Sequence, residues 1–320
     1  MVLDVSNLSV QIRGKAGVIH PVDDVSFSLR PGETLGLVGE SGSGKSMTGL
    51  ALMRLLPQPA ARITQGRITL AGQDILAFSD RQMRSVRGRD ISMILQDPQT
   101  SLNPVWRIGA QVIEALRLHA PGPSTALRVR AVELLRWLGI PAPEARMRAF
   151  PHELSGGMRQ RVVGAIALSS APKVLIADEP TTALDVTIQA QFLRLLRDIQ
   201  AETGLSILFI THDFGVVARL CHRVMVMYAG RVVETGPVRR IFSAPAHPYT
   251  RALVASVPRL DTPEGRLPAI PGQPPALWSL PSGCAFAPRC PLADARCHLK
   301  APPTVVTAPG QSAACWRPVA

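Results

Sequence analysis

Apolar and polar positions alternate through residues 2–30. Leu3, Val5, Leu8, Val10 and Ile12 come first, then Val22, Val25, Phe27 and Leu29. A period of two predicts antiparallel strands with one buried face. Pro31-Gly32 turns the chain into Thr34-Leu35-Gly36-Leu37-Val38, a short buried strand. Met47 to Leu56 has a helical pattern that ends before Pro57. Gly66 to Gly72 predicts a further strand and turn, and Ile91 to Leu95 a strand ending on Gln96. Asp97 to Pro104 combines prolines with small polar residues, which predicts no regular structure. Residues 107–138 predict helices interrupted at Pro121-Gly122-Pro123, and Val162 to Ser169 another helix. Lys173-Val174-Leu175-Ile176-Ala177 and Leu205 to Thr211 are continuous apolar runs, as buried parallel strands are. Val224 to Tyr228 and Arg231 to Glu234 predict a hairpin around Ala229-Gly230.

One of these strands opens onto chemistry. Gly39-Glu40-Ser41-Gly42-Ser43-Gly44-Lys45-Ser46 fits the phosphate-binding loop pattern. Glycines let several backbone N–H groups point into one concavity, which suits an anion. A helix opening at Gly44 aims its positive dipole end at the same point. Lys45 supplies a mobile charge for the β- and γ-phosphates, and the Ser46 hydroxyl can ligate Mg²⁺.

The later strands each deliver a polar residue at their C-terminal ends, where open α/β sheets bind ligands. Lys173–Ala177 leads into Asp178-Glu179. One carboxylate can hold Mg²⁺ through water, and its neighbour can deprotonate an attacking water. Gln96 can extend an amide to a metal or a water, although glutamine at a strand end is uninformative by itself. His212 can donate to a γ-phosphate oxygen or serve as a structural edge histidine. Leu154-Ser155-Gly156-Gly157 precedes a helix, so Ser155 reads equally as an anion-binding group or an ordinary N-cap.

Composition narrows the classes. The 320 residues suffice for a large domain plus an appendage, or for two domains, and 46% hydrophobic content supports a sizeable core. Only 4% of residues are aromatic, which argues against base-stacking platforms. The net charge of +12 fits nucleic acid, an anionic membrane surface or a basic proteome, and no run of five basic residues occurs. The N-terminal Met1-Val2-Leu3-Asp4 carries no secretory pattern, and no apolar run reaches the ~18–20 residues that span a bilayer. The expectation is a cytosolic protein, soluble or peripheral.

Taken in order, the phosphate loop, Gln96, Leu154-Ser155-Gly156-Gly157, Asp178-Glu179, Ala183-Leu184-Asp185 and His212 resemble the nucleotide-binding subunit of ABC transporters. Gln96-Asp97-Pro98, Ser101-Leu102-Asn103-Pro104 and His247-Pro248-Tyr249-Thr250 resemble its oligopeptide/dipeptide permease branch, whose relatives import nickel or glutathione. The resemblance implies an α/β P-loop NTPase of ABC type, with a mixed β core, an antiparallel β subdomain and a helical subdomain. It places the ATP-binding domain at 1–235, with the helical part at roughly 97–160. It implies that Gly39, Ser41, Gly42, Gly44, Lys45, Ser46 and Met47 hold ATP and that Ser155, Gly156 and Gly157 cover the ATP of a facing subunit. Glu179 is then the general base, assisted by Lys45, Gln96 and His212. Ser46, Gln96 and Asp178 hold Mg²⁺, and Asp185 lies in the loop that crosses the dimer interface. The implied partners are two integral membrane permease subunits, a second and often paralogous ATP-binding subunit, and an extracytoplasmic solute-binding protein. The 97–106 loop would meet the permease on the cytoplasmic face of the membrane, and no nucleic acid is involved. A soluble ABC ATPase acting on nucleic acid is the alternative. Where the family stacks adenine on an aromatic, this chain reads Gly17-Val18-Ile19-His20, leaving Ile19 or His20.

The tail from 236 to 320 differs in composition. It holds 16 of the 29 prolines, which predicts neither a helical nor a sheet domain. It also holds Cys284, Cys290, Cys297 and Cys315, with five, six and 17 residues between them. No pair has zinc-knuckle spacing. Four thiols in a loop-rich segment fit a Cys₄ iron–sulfur site, and similar extensions of peptide-permease ATPases carry a [4Fe–4S] cluster. Zinc and free thiols or disulfides are the other readings. Cys221 reads as a buried structural thiol.

Overall fold

The computed structural model describes residues 1–14, 17–182, 184–257 and 269–319. Ala183, part of the motif order, lies outside them. In chain order the elements are β1 (Leu3–Gly14), β2 (Gly17–Leu29), β3 (Thr34–Val38), α1 (Lys45–Leu52), β4 (Ala61–Leu70), β5 (Gln73–Asp74) and α2 (Asp80–Val86). Then come β6 (Ile91–Ile94), α3 (Pro98–Ser101), α4 (Ile108–His119), α5 (Ser124–Trp137), α6 (Pro143–Arg146), α7 (Gly156–Leu168), β7 (Val174–Asp178) and α8 (Val186–Thr203). The remainder is β8 (Ser206–Thr211), α9 (Phe214–Leu220), β9 (Arg223–Tyr228), β10 (Arg231–Pro237), α10 (Val238–Ser243), α11 (Pro248–Ala255), α12 (Ala295–Leu299), β11 (Thr304–Ala308) and β12 (Gln311–Ala314).

The chain forms two units. The first comprises Met1–Leu3, Leu29–Glu33 and Leu70–Leu208. In it β6 and β7 pair in parallel, with Ile91 opposite Val174 and Ile94 opposite Ala177. Their starts are tied by Asp90, which accepts from Lys173 Nζ at 3.1 Å and from Arg89. Burial raises the Asp90 pKa, but these two cations outweigh it and hold the carboxyl below its ordinary value. Around the strands, α4, α5 and α7 pack through Ile108, Val112, Leu116, Leu127, Leu135 and Val162, all buried. The helical pattern of 107–138 and its Pro-Gly-Pro interruption match α4 and α5.

Residues 97–104 depart from expectation, because 98–101 form the short helix α3. Proline is tolerated at a first helical position, where its missing N–H has no partner anyway. The Ser101 and Thr100 hydroxyls both donate to the Asp97 carbonyl.

The second unit comprises Asp4–Ser28, Thr34–Thr69 and Phe209 onward. Early residues of β1 meet late residues of β2 (Asn7 with Ser26, Ser9 with Asp24), so the two run antiparallel as their alternation predicts. β3 pairs in parallel with β9, and β9 antiparallel with β10. Here the tail corrects the expectation of a segment without regular structure. β12 pairs antiparallel with β10, and β11 with β12, so the tail adds a hairpin to the sheet. Among the described tail residues, Pro237 closes β10 opposite Arg223, Pro248 opens α11, and no proline lies within β11 or β12.

Tail and sheet share one core. Tyr228, Tyr249 and Phe286 are each buried, with ring centroids 4.6, 5.4 and 5.3 Å apart. Aromatic pairs in such tilted arrangements add about 0.5–1.5 kcal/mol beyond area burial. Cys221 packs beside this core, and burial pushes its thiol up to about 12, as expected of a structural cysteine.

Candidate nucleotide site

The phosphate loop follows β3, a strand buried along its whole length. Two glycines are needed by close approach. A Cβ on Gly39 would strike the Met227 carbonyl oxygen, and one on Gly44 the Pro21 carbonyl oxygen. Gly44 also has φ 105°, which suits only glycine. The helix α1 opens at Lys45 as expected but ends at Leu52 rather than Leu56, since Arg54 takes a left-handed conformation with φ 51°. Lys45 is buried, and its Nζ donates to the Gly39 and Glu40 carbonyls at 2.8 and 2.9 Å. Ser41 and Gly42 are exposed, and Ser46 and Met47 half-buried. Ile19 is half-buried and His20 exposed on β2.

Two residues on the tail grip this loop, and neither was a candidate from sequence. The Tyr249 hydroxyl accepts from the Glu40 N–H at 2.9 Å. Arg289 donates to both Glu40 carboxylate oxygens, at 2.7 and 3.0 Å. His247 explains part of the His-Pro-Tyr motif. Burial holds its pKa down at about 4, so at neutral pH its Nδ1 can accept from the Tyr249 N–H at 3.0 Å and cap α11. Pro248 takes the first helical position.

In the first unit, parallel register brings Gln96 and Glu179 level, each two residues beyond an opposed pair, Ile94 and Ala177. The Gln96 amide donates to Glu179 Oε2 at 3.1 Å, and the Thr182 hydroxyl donates to the same oxygen at 3.0 Å. Thr182 is a further residue that spacing did not reveal. Asp178 is buried at the end of β7. Its carboxylate and the Gln96 amide oxygen are oxygen donors of the kind Mg²⁺ takes.

Ser155 is exposed and caps α7, accepting from the Met158 N–H at 3.3 Å. Gly156 is exposed beside it, and a Cβ on Gly157 would clash with the Ile188 side chain. Asp185 caps α8, accepting from the Ile188 N–H at 2.9 Å. His212 follows β8 and is exposed.

Residues 22–182 match the family model described as ABC transporter. The chain belongs to the ATP-binding subunits of ABC transporters. Residues 233–297 of this ATPase subunit match the oligopeptide/dipeptide transporter C-terminal region, which places it in the permease branch named for those substrates. A probable peptide ABC transporter ATP-binding protein of Sinorhizobium fredii is 50% identical, over 99% of this chain and 95% of its own. The oligopeptide transport ATP-binding protein OppD of Bacillus subtilis is 53% identical, over 90% of this chain and 80% of its own. Among solved structures, a dimeric ATP-binding cassette in a post-hydrolysis state with ADP and phosphate is 26% identical. It superposes with a TM-score of 0.67, over 74% of this chain and 99% of its own.

Cys284, Cys290, Cys297 and Cys315 line one cavity, so the tail does gather its thiols. The cavity is only about 20 Å³, and among the described residues no three His, Cys, Asp or Glu side chains are arranged to hold a metal. Burial raises the thiols of Cys284, Cys290 and Cys315. Among the described residues no helix is long and apolar enough to cross a membrane.

Proposed function

We propose that this subunit energises the import of di- and oligopeptides, through ATP-driven closure against a second ATP-binding subunit. The observation that carries the reading is the Glu179 carboxylate, fixed at the end of β7 by Gln96 and Thr182. ATP binds on residues 39–47, with Lys45 donating to its β- and γ-phosphate oxygens. Closure brings Ser155, Gly156 and Gly157 of the facing subunit over the nucleotide and excludes water. Glu179 takes a proton from the attacking water. A new P–O bond forms at the γ-phosphorus, and the bond to the β–γ bridging oxygen breaks, leaving ADP with that electron pair. Gln96 orients the water and His212 donates to the γ-phosphate. Ser46, Asp178 and Gln96 would hold Mg²⁺, which neutralises phosphate charge. Asp185 sits in the loop facing the other subunit.

The tail thiols would ligate a [4Fe–4S] cluster that cross-links the 236–320 segment. Four thiols on one cavity supply the ligand type and number. Anaerobically purified protein should then carry iron and acid-labile sulfide, and their absence would remove the cluster. The ATP-binding domain occupies 1–235, with its helical part at about 97–160.

The subunit works peripherally, on the cytoplasmic face of the membrane. Its partners are two integral membrane permease subunits, a paralogous ATPase and, through the permease, an extracytoplasmic solute-binding protein. Peptide naming of the relatives supports this cargo. Mild-detergent purification from native membranes should recover two multi-span proteins and a second ATPase. Their binding protein should then retain peptides rather than nickel or glutathione. Recovery with ribosomes or nucleic acid alone would overturn the transport reading.

A further inference from the structure

Glu40 is an unusual residue for its surroundings. A loop that must accept the negative phosphates of a nucleotide carries a carboxylate as its second residue. Like charges at that range repel, and a partly dry site strengthens the repulsion. The tail supplies the answer. Arg289 forms a fork on Glu40, with Nη1 on Oε2 and Nη2 on Oε1. Its side chain is 5% exposed and that of Glu40 27%. Two further donors are engaged, with Nε on the Pro271 carbonyl at 2.9 Å and Nη1 on the Tyr228 hydroxyl at 3.3 Å. The guanidinium lies 5.8 Å from the Tyr228 ring centre and 5.9 Å from that of Phe286. A bidentate guanidinium–carboxylate pair has a fixed geometry that a lysine cannot reproduce.

The grip continues into the backbone. The Glu40 N–H is held by the Tyr249 hydroxyl, and the Glu40 carbonyl accepts from Lys45 Nζ. Side chain, N–H and carbonyl of one loop residue are therefore each fixed, two of them from the tail. Arg289 ends the turn Ala287–Arg289, which lies between Cys284 and Cys290 and runs directly into Cys290.

We propose that Arg289, aided by Tyr249, is a positioning residue for ATP binding. It cancels the Glu40 charge and holds the phosphate loop open to ATP, so the cysteine-bearing turn sets nucleotide affinity. The inference rests on reading residues 39–46 as the ATP site.

The test is the steady-state ATPase of the full transporter in membranes, with ATP binding measured on the full-length subunit. Arg289→Ala should raise KM for ATP about tenfold and weaken binding equally, with kcat changed less than twofold, since one uncancelled charge at loop range is worth about this much. Arg289→Lys keeps the charge without the fork and should fall between. Glu40→Gln/Arg289→Ala removes both charges and should recover most of the lost affinity, and it keeps the test alive if the single alanine variant does not fold. Unchanged affinity in Arg289→Ala, or a double variant as weak as the single one, would overturn the proposal. Lys45→Ala should abolish binding. If it binds normally, the reading of the loop as the ATP site has failed and the role of Arg289 falls with it, whereas lost binding in Lys45→Ala beside unchanged affinity in Arg289→Ala refutes the role of Arg289 alone.

Discussion

Glu179 combines two features at a single position. Its backbone sits at φ 45°, a left-handed conformation rare for residues other than glycine, and its carboxylate is pinned by Gln96 and Thr182. Such strain costs about 1–3 kcal/mol and persists where the surroundings over-determine it. The turn after β7 therefore spends stability on aiming one side chain. Glu179→Gln keeps the shape but removes the base. ATP binding should be retained while phosphate release slows by ~10²–10⁴-fold, the usual contribution of a general base. Turnover like that of the wild type would take Glu179 out of the role. Lys45, Asp178 and Glu179 could be proposed from sequence because the motifs that suggest them lie in neighbours along the chain. Thr182, Tyr249 and Arg289 were not. What each does depends on a partner, and for the two tail residues that partner, Glu40, lies more than 200 positions away.

At the scale of elements, buried strands and the helices with clear periods were readable, because burial itself writes the pattern. The errors came where local chemistry overrode composition. Pro98 starts a helical turn instead of preventing one, and the proline-rich tail still contributes β11 and β12. Besides the β10–β12 ladder, the hairpin is tied to the sheet by Glu234, a buried carboxylate on β10. It accepts from the Ala246 and His247 N–H groups at 2.8 Å each and from Gln311 Nε2 on β12, also at 2.8 Å. Glu234→Ala would leave the Ala246 and His247 N–H groups without that acceptor, while Gln311 Nε2 keeps the Ala244 carbonyl at 2.9 Å. An orphaned buried donor costs about 1–3 kcal/mol. Urea unfolding should show a loss of at least about 2 kcal/mol, with protease cleavage appearing first in the tail. A loss below 1 kcal/mol would mean that the aromatic core alone holds the tail.

For the molecule as a whole, motif order carried the family while no single motif did. Gln96, Ser155 and His212 are each ambiguous in isolation, and their order of appearance is what suggests the role proposed for each. Ser155 is where the proposed two-subunit site can be tested. Its hydroxyl caps its own helix, yet it and Gly156 are exposed at the N-terminus of the 13-residue helix α7. An exposed helix N-terminus with a hydroxyl suits phosphate, and in the proposed closure that phosphate belongs to the facing subunit. The prediction follows from this division of labour. Ser155→Arg, placed in this chain alone within the assembled transporter, adds bulk at the closing face. ATP binding to the isolated variant chain should match wild type within about twofold, because its own phosphate loop is untouched. Turnover of the complex should fall at least about tenfold, because Arg at this position obstructs closure and the hydroxyl no longer faces the transferring phosphate. Comparing the two measurements separates a cover from a ligand. If binding by the isolated chain falls together with turnover, Ser155 serves its own nucleotide and the two-subunit reading of the site is wrong.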